Sequence, residues 1–373
     1  MKQFAAWLDE ERGRMTADKI GVLIVDDSRV ARMLLVHLLE SDPMIRVLGA
    51  VDSGQAALEF LRNKQPDVVL MDIQMPRLDG FETTRLIMES QPVPIVICTA
   101  TSDSREVAIT FRSMEAGAVA CIEKPVAPEH PEYETVVRNL IDTIKLMSEV
   151  KVVRRWPRSS SILRPVSRTT NSDAVTNGIR MIGIGASTGG PLVLQTILAS
   201  LPKNFSVPIL IVQHIAPGFL SGLVQWLNDT TGLHVHVAAH DTPPLAGHAY
   251  LAPDDLQMSI GRSGRIRLTR EEPENSLRPA VSYLFRSLAE VFGPDALGIL
   301  LSGMGKDGAA ELKMMKDYGA ITIAQDRDSS VVHGMPGEAI GLGGATYVLA
   351  ADKIAENLIT LVKRRQAAGG VQT

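Results

Sequence analysis

Arg180-Met181-Ile182-Gly183-Ile184-Gly185-Ala186-Ser187-Thr188-Gly189-Gly190-Pro191 passes from an apolar run through a cluster of small residues into the helical pattern Leu192–Ser200. A strand at Arg180–Ile184, a glycine-rich turn and a helix in direct succession predict one unit of an α/β sheet. The alternation continues downstream. Strands are predicted at Pro208–Val212, His248–Leu251, Leu297–Leu301, Ala320–Ala324 and Thr346–Leu349, with helices at Val281–Phe292, Gly308–Tyr318 and Ala351–Val362. Strands spaced by helices predict a Rossmann-like, doubly wound parallel sheet over residues 179–367. His234–Leu268, with turns at Pro243-Pro244 and Arg262-Ser263-Gly264, is predicted to be a β insertion.

Upstream, residues 20–147 repeat the alternation with strands at Gly21–Val25, Ile45–Ala50, Val68–Met71, Ile95–Thr99 and Ala118–Ile122. Amphipathic segments such as Val30–Glu40 and Gln55–Asn63 lie between them, which predicts a separate five-stranded doubly wound α/β domain. The blocks are joined by a basic linker, 148–178, in which Lys151, Arg154, Arg155, Arg158, Arg164 and Arg168 occur without an acid between Lys151 and Ser172. Residues 1–19 form an N-terminal extension.

Composition narrows the function classes. A net charge of −4 excludes a polycation built for nucleic acid, and 45% hydrophobic with 21% charged residues excludes wholesale disorder. No apolar run reaches the roughly 18 residues of a membrane span. The start of the chain, Phe4-Ala5-Ala6-Trp7-Leu8 followed by Asp9-Glu10-Glu11, is not a signal peptide pattern. Cys98 and Cys121 lie in apolar strand-like runs and are expected to be buried, reduced thiols of a cytoplasmic protein.

In the first block, Asp26 and Asp27 close the first strand, Asp72 the third, Thr99 the fourth and Lys124 the fifth. Strand ends converge in a doubly wound sheet, so three carboxylates, a hydroxyl and an ammonium are expected on one rim. Carboxylates at close range repel unless a cation intervenes, and hard oxygen donors favour Mg²⁺. Asp72 is then placed to accept a phosphoryl group as a nucleophile. A lone Asp at a strand end ordinarily caps the next helix, but five such positions in order are not explained by capping.

In the second block, Gly185-Ala186-Ser187-Thr188-Gly189 matches G-x-S-x-G between strand and helix, which exposes a serine hydroxyl at a sheet edge. A dinucleotide-binding loop is the competing interpretation, and it wants an acid at the end of the next strand. That strand ends Val212-Gln213-His214, which supplies a base instead. Asp307, in Leu301-Ser302-Gly303-Met304-Gly305-Lys306-Asp307-Gly308, is the candidate carboxylate to orient His214, with capping of the following helix as its plainer role. His234, His236, His240 and His248 lack a thiol or acid at ligand spacing and are expected to be surface histidines.

Val25-Asp26-Asp27-Ser28, Met71-Asp72-Ile73-Gln74-Met75-Pro76, Asp79-Gly80, Thr99-Ala100 and Lys124-Pro125 resemble the motifs of response-regulator receiver domains. The resemblance implies an aspartyl phosphate on Asp72, read by Thr99 and Lys124. It also implies Mg²⁺ on Asp27, Asp72 and the Gln74 carbonyl, with Asp26 assisting. Cys121 stands where many receivers carry an aromatic. The second block resembles the catalytic domain of chemotaxis protein-glutamate methylesterases through Ile184–Pro191, Val212-Gln213-His214, Ala252-Pro253, Arg278-Pro279, Leu301–Ala309 and Gly334-Met335-Pro336. His333 stands where an aromatic is expected. This resemblance implies a Ser187–His214–Asp307 triad, with Thr188 and the Met304 backbone near the developing oxyanion. It implies hydrolysis of glutamate methyl esters on chemoreceptors with release of methanol, and deamidation of glutamine.

The expected mechanism is two-step acyl transfer without a cofactor, governed by phosphorylation of the first block by a chemotaxis histidine kinase. A DNA-binding output through the basic linker and a pure adaptor with a decayed site are the alternatives from other classes. The first needs a compact helix-turn-helix, which a glycine-rich sheet block does not resemble. The second sits poorly with Ser187, His214 and Asp307 all present.

Overall fold

The computed structural model describes residues 19–99, 111–125, 133–150, 152 and 178–369. The N-terminal extension and most of the basic linker lie outside the described residues. By its contacts the chain divides into two compact units, whose described parts are 19–99, 112–125, 133–150 and 152 for the first, and 111 and 178–369 for the second.

In the first unit, the runs Gly21–Val25, Val68–Met71 and Ile95–Thr99, rich in Val, Ile and Leu, form strands buried on both faces, so they read as nearly continuous apolar runs. β1 (Ile20–Val25), β2 (Ile45–Val51), β3 (Val68–Met71), β4 (Ile95–Thr99) and β5 (Ala120–Glu123) run parallel in the order β2-β1-β3-β4-β5. The helices are α1 (Arg29–Glu40), α2 (Gly54–Asn63), α3 (Gly80–Ser90) and α4 (Tyr133–Ser148). Three of them start on side-chain caps: Ser28 Oγ accepts from Ala31 N–H, Ser53 Oγ from Ala56 N–H and the Asp79 carboxylate from Glu82 N–H. The chain leaves β1 towards β2 on one side, while β3 lies on the other. The loops after β1 and β3 therefore part at this switch point and leave a cleft at the carboxyl edge.

The second unit carries a seven-stranded parallel sheet in the order Tyr347–Leu349, Ile321–Gln325, Ala296–Leu300, Met181–Ala186, Ile209–Gln213, His248–Leu251, His234–Val237. Its strands are β6 (Met181–Ala186), β7 (Ile209–Gln213), β8 (His234–Val237), β9 (His248–Leu251), β12 (Ala296–Leu300), β13 (Ile321–Gln325) and β14 (Tyr347–Leu349). The helices are α5 (Gly190–Ser200), α6 (Leu220–Thr231), α7 (Val281–Phe292), α8 (Ala309–Asp317), α9 (Met335–Gly341) and α10 (Ala351–Gly369). The β insertion is smaller than the sequence predicts. Only β10 (Gln257–Ile260) and β11 (Ile266–Thr269) form a separate antiparallel hairpin, while His234–Val237 extends the main sheet beside His248–Leu251, which the sequence predicts as one of its strands. An edge strand that buries one residue, as Val235 does, has the same local pattern in either sheet.

The chain runs from β6 outward to β8, then returns to β12 on the other side of β6, so the switch point lies between β6 and β12. Helix α7 is fastened beside it by Leu284, Phe285 and Leu288, all fully buried. Each such side chain contributes about 1.5–3 kcal/mol relative to exposure. The start of α7 is therefore a fixed point from which other groups can be held.

Candidate active site

Three adjacent strands, β7, β6 and β12, deliver the predicted residues to one carboxyl edge. Past β6, Ser187 N–H donates to the Ser302 carbonyl (3.0 Å), and past β7, His214 N–H donates to the Ala186 carbonyl (2.9 Å). Ser187 is thus seated between the chain that follows β12 and the chain that follows β7. Gly189, at φ 78°, takes the left-handed conformation that turns the backbone from Ser187 into α5.

His214 Nε2 lies 2.9 Å from Asp307 Oδ2. Asp307 is 2% exposed and accepts three further hydrogen bonds: from Val281 N–H (2.6 Å), Ser282 N–H (3.1 Å) and Asn275 Nδ2 (3.3 Å). Burial alone would raise its carboxyl. The bonds from His214, Ser282 and Val281 outweigh that and hold it below the usual carboxylate range. The plainer role weighed for Asp307, capping the helix that follows it, is not what it does. The N-cap of α8 is Gly308, with no side-chain cap, and Asp307 instead occupies the N-terminus of α7, whose own N-cap, Ala280, has no oxygen to offer. With Nε2–H donated to a carboxylate, Nδ1 is the ring nitrogen left with a lone pair.

Ser187 Oγ makes no hydrogen bond to His214 among the described residues, as is common before a substrate is bound. Thr188 is half-buried and Met304 is exposed at 51%, and the N–H groups of both donate to no protein group among the described residues. Val332 and His333 brace the Met304 turn: Gly303 N–H donates to the Val332 carbonyl (3.0 Å), and Gly303 pairs with His333 as an isolated bridge. Burial and the nearby Arg327 charge lower the His333 imidazole pKa.

Several participants escape sequence reasoning. Ser302 is fully buried, its Oγ 2.7 Å from the Thr188 carbonyl, and its N–H donates to Gln325 Oε1 (2.8 Å). Gln213 donates to the Ser187 and His214 carbonyls (2.8 and 2.9 Å). For the contact of Asp307 with α7 the available signal was a helix beginning Ala280-Val281-Ser282 with no capping residue of its own.

The first unit gathers its predicted residues too. Lys124 Nζ lies 2.6 Å from Asp26 Oδ2 and 3.0 Å from Asp72 Oδ2. One carboxylate oxygen each from Asp26, Asp27 and Asp72 falls within 4.8 Å of the others. Such a set of hard oxygens can hold a divalent cation of the Mg²⁺ type. Burial raises the Asp72 carboxyl above its ordinary value, and the Asp26 charge adds to this against the opposing pull of Lys124. Burial would lower Lys124, but Asp26 and Asp72 together raise it. Thr99 is buried at the end of β4, with its carbonyl accepting from Lys124 N–H (2.9 Å), and Gln74 is exposed in the loop after Asp72. Asp27 is exposed at the mouth. Cys98 and Cys121 are free; Cys98 is fully buried and Cys121 only partly exposed, and burial raises both thiol pKa values, which suits unreactive thiols.

Among the histidines weighed for a metal, His236 Nε2 pairs with His248 Nδ1 at 2.8 Å and His240 Nδ1 accepts from Leu268 N–H at 3.1 Å.

Fold and site together define a hydrolase domain of parallel-sheet type joined to a receiver domain. The CheB methylesterase family model matches residues 182–358 and the response regulator receiver domain model residues 22–132. The protein-glutamate methylesterase/protein-glutamine glutaminase of Nitrosospira multiformis is 51% identical over 93% of this chain and 98% of its own. Such a protein of Syntrophus aciditrophicus is 53% identical over 92% of this chain and 98% of its own. The crystal structure of the Thermotoga maritima CheB methylesterase catalytic domain shares 39% identity, covers half of this chain and all of its own, and gives a TM-score of 0.48. The chain belongs to the protein-glutamate methylesterase/protein-glutamine glutaminase family. No helix among the described residues is long and apolar enough to cross a membrane.

Proposed function

We propose that this protein removes methyl groups from glutamate methyl esters on chemoreceptors, and deamidates glutamines there, under control of phosphorylation at Asp72. Ser187 is the nucleophile, His214 the general base and Asp307 the group that fixes the imidazole. The observation that carries this is the His214–Asp307 pair, locked by the start of α7 at the strand ends that also present Ser187.

His214 Nδ1 takes the Ser187 proton as Oγ attacks the ester carbonyl, while the N–H groups of Thr188 and Met304 receive the developing oxyanion. Protonated His214 gives its proton to the departing methoxide and methanol leaves. A water then attacks the acyl-enzyme, passing its proton to His214, and glutamate and free Ser187 are restored. With a glutamine side chain the leaving group is ammonia. In the receiver domain, Asp26, Asp27, Asp72 and the Gln74 carbonyl would hold Mg²⁺, which when bound draws charge from the phosphoryl oxygens. Asp72 accepts the phosphoryl group from a histidine kinase, and Thr99 and Lys124 respond to it.

Methanol release from methylated receptor preparations tests the reading. Ser187→Ala should lower kcat by about 10⁴–10⁶ while the protein stays folded. A variant that keeps a tenth of the activity overturns the nucleophile assignment.

A further inference from the structure

Gln213 ends β7 and is 4% exposed, so it touches no substrate. Its Nε2 donates to two backbone carbonyls at once, Ser187 (2.8 Å) and His214 (2.9 Å). The amide orientation is forced, because the flipped form would set Oε1 against two acceptors. Its Oε1 is buried and has no hydrogen-bond partner. An unpartnered buried acceptor is costly, and a methionine would fill the same slot without that cost. Room for the amide is kept by Gly190, where a Cβ would stand 2.4 Å from Oε1.

The geometry has a consequence for catalysis through the planar peptide. The Ser187 carbonyl and the Thr188 N–H belong to one trans peptide and point in opposite directions. Holding that carbonyl on Gln213 therefore aims the Thr188 N–H away from Gln213, and the second bond ties the backbone of the base to the same amide. We infer that Gln213 is a positioning residue of the hydrolase site, whose side-chain amide holds Ser187, the Thr188 N–H donor and His214 in one frame. The inference rests on the triad proposed above.

The test uses the full-length protein, Gln213→Met and Gln213→Glu, with methylated receptors as substrate and reactive serine counted by a fluorophosphonate label. Both substitutions keep the size of the side chain, and counting sites removes misfolded molecules from the rate. The expected result is a kcat per labelled site lower by about 10–100-fold with KM unchanged, since loosened alignment affects the transition state and not receptor binding. In Gln213→Glu the protonated acid can still donate to one carbonyl and the carboxylate to none. Its rate relative to the parent should therefore rise as pH falls from 8 to 6, which a loss of packing alone would not produce. A parental kcat per site in Gln213→Met, a loss confined to KM, or a pH-independent ratio in Gln213→Glu overturns the inference. Ser187→Ala, run alongside, separates the two claims: if it stays active, the triad fails, and if it is inactive while Gln213→Met is unimpaired, only the positioning role fails.

Discussion

Asp72 shows how one buried carboxylate can be functional and costly together. Its carboxyl pKa is raised in the folded protein, chiefly by burial, so folding favours the protonated form. The native state then binds more protons than the unfolded chain between the ordinary carboxylate value and the raised one. Stability falls as pH rises through that window and stays lower above it. Asp72→Asn removes this penalty and leaves Lys124 its contact with Asp26. It should melt a few degrees above the parent at pH 7, the gap closing on acidification, as read by thermal denaturation against pH. An unchanged melting temperature at pH 7 would mean that Lys124 fully offsets the burial.

At the scale of elements, the decisive fact is that α7 is capped from outside itself. Asp307 takes the N–H groups of Val281 and Ser282, 26 and 25 residues away in sequence. Its negative charge also sits at the positive end of the helix. Asp307→Ala should lose about 1–3 kcal/mol of stability, since two buried donors lose their acceptor. Asp307→Asn keeps an acceptor and should lose less. Both should lose about 10⁴ in kcat, because the imidazole tautomer is no longer fixed. Because the Asp307 carboxyl is held low, its contribution is complete above the ordinary carboxylate range and fades as pH falls towards the depressed value. Urea unfolding at pH 7 and pH 3 should show a smaller acid loss in Asp307→Asn than in the parent.

For the whole molecule, the proposed control would link phosphorylation in one compact unit to hydrolysis in another unit of the same chain. Acetyl phosphate with Mg²⁺ should raise methanol release by the full-length protein, and chelation of the metal should remove the rise without touching the basal rate. Asp27→Ala and Asp72→Asn should keep basal hydrolysis and lose the response. A fragment beginning at Ala174 keeps Ser187, His214 and Asp307 and should hydrolyse receptors at a rate that acetyl phosphate does not alter. A response in the fragment, or full stimulation of Asp72→Asn, would place the control elsewhere.

The amino-acid sequence by itself determined the alternation of strands and helices, the parallel sheets and the strand-end positions of Asp26, Asp72, Ser187 and His214. Each of these rests on patterns a few residues long: a buried apolar run, a glycine-rich turn, a polar residue where the run stops. Only the tertiary structure decided that β8 belongs to the main sheet, because a half-buried edge strand looks the same locally whichever sheet it joins. It alone decided that Asp307 caps α7 and not α8, and that Gln213 reaches back 26 residues to Ser187. Those contacts exist because β12, β6 and β7 lie side by side, and strand order is set by how the whole chain packs its apolar faces. Side-chain partners across that edge carry no local signature, so they appear only when the sheet is assembled.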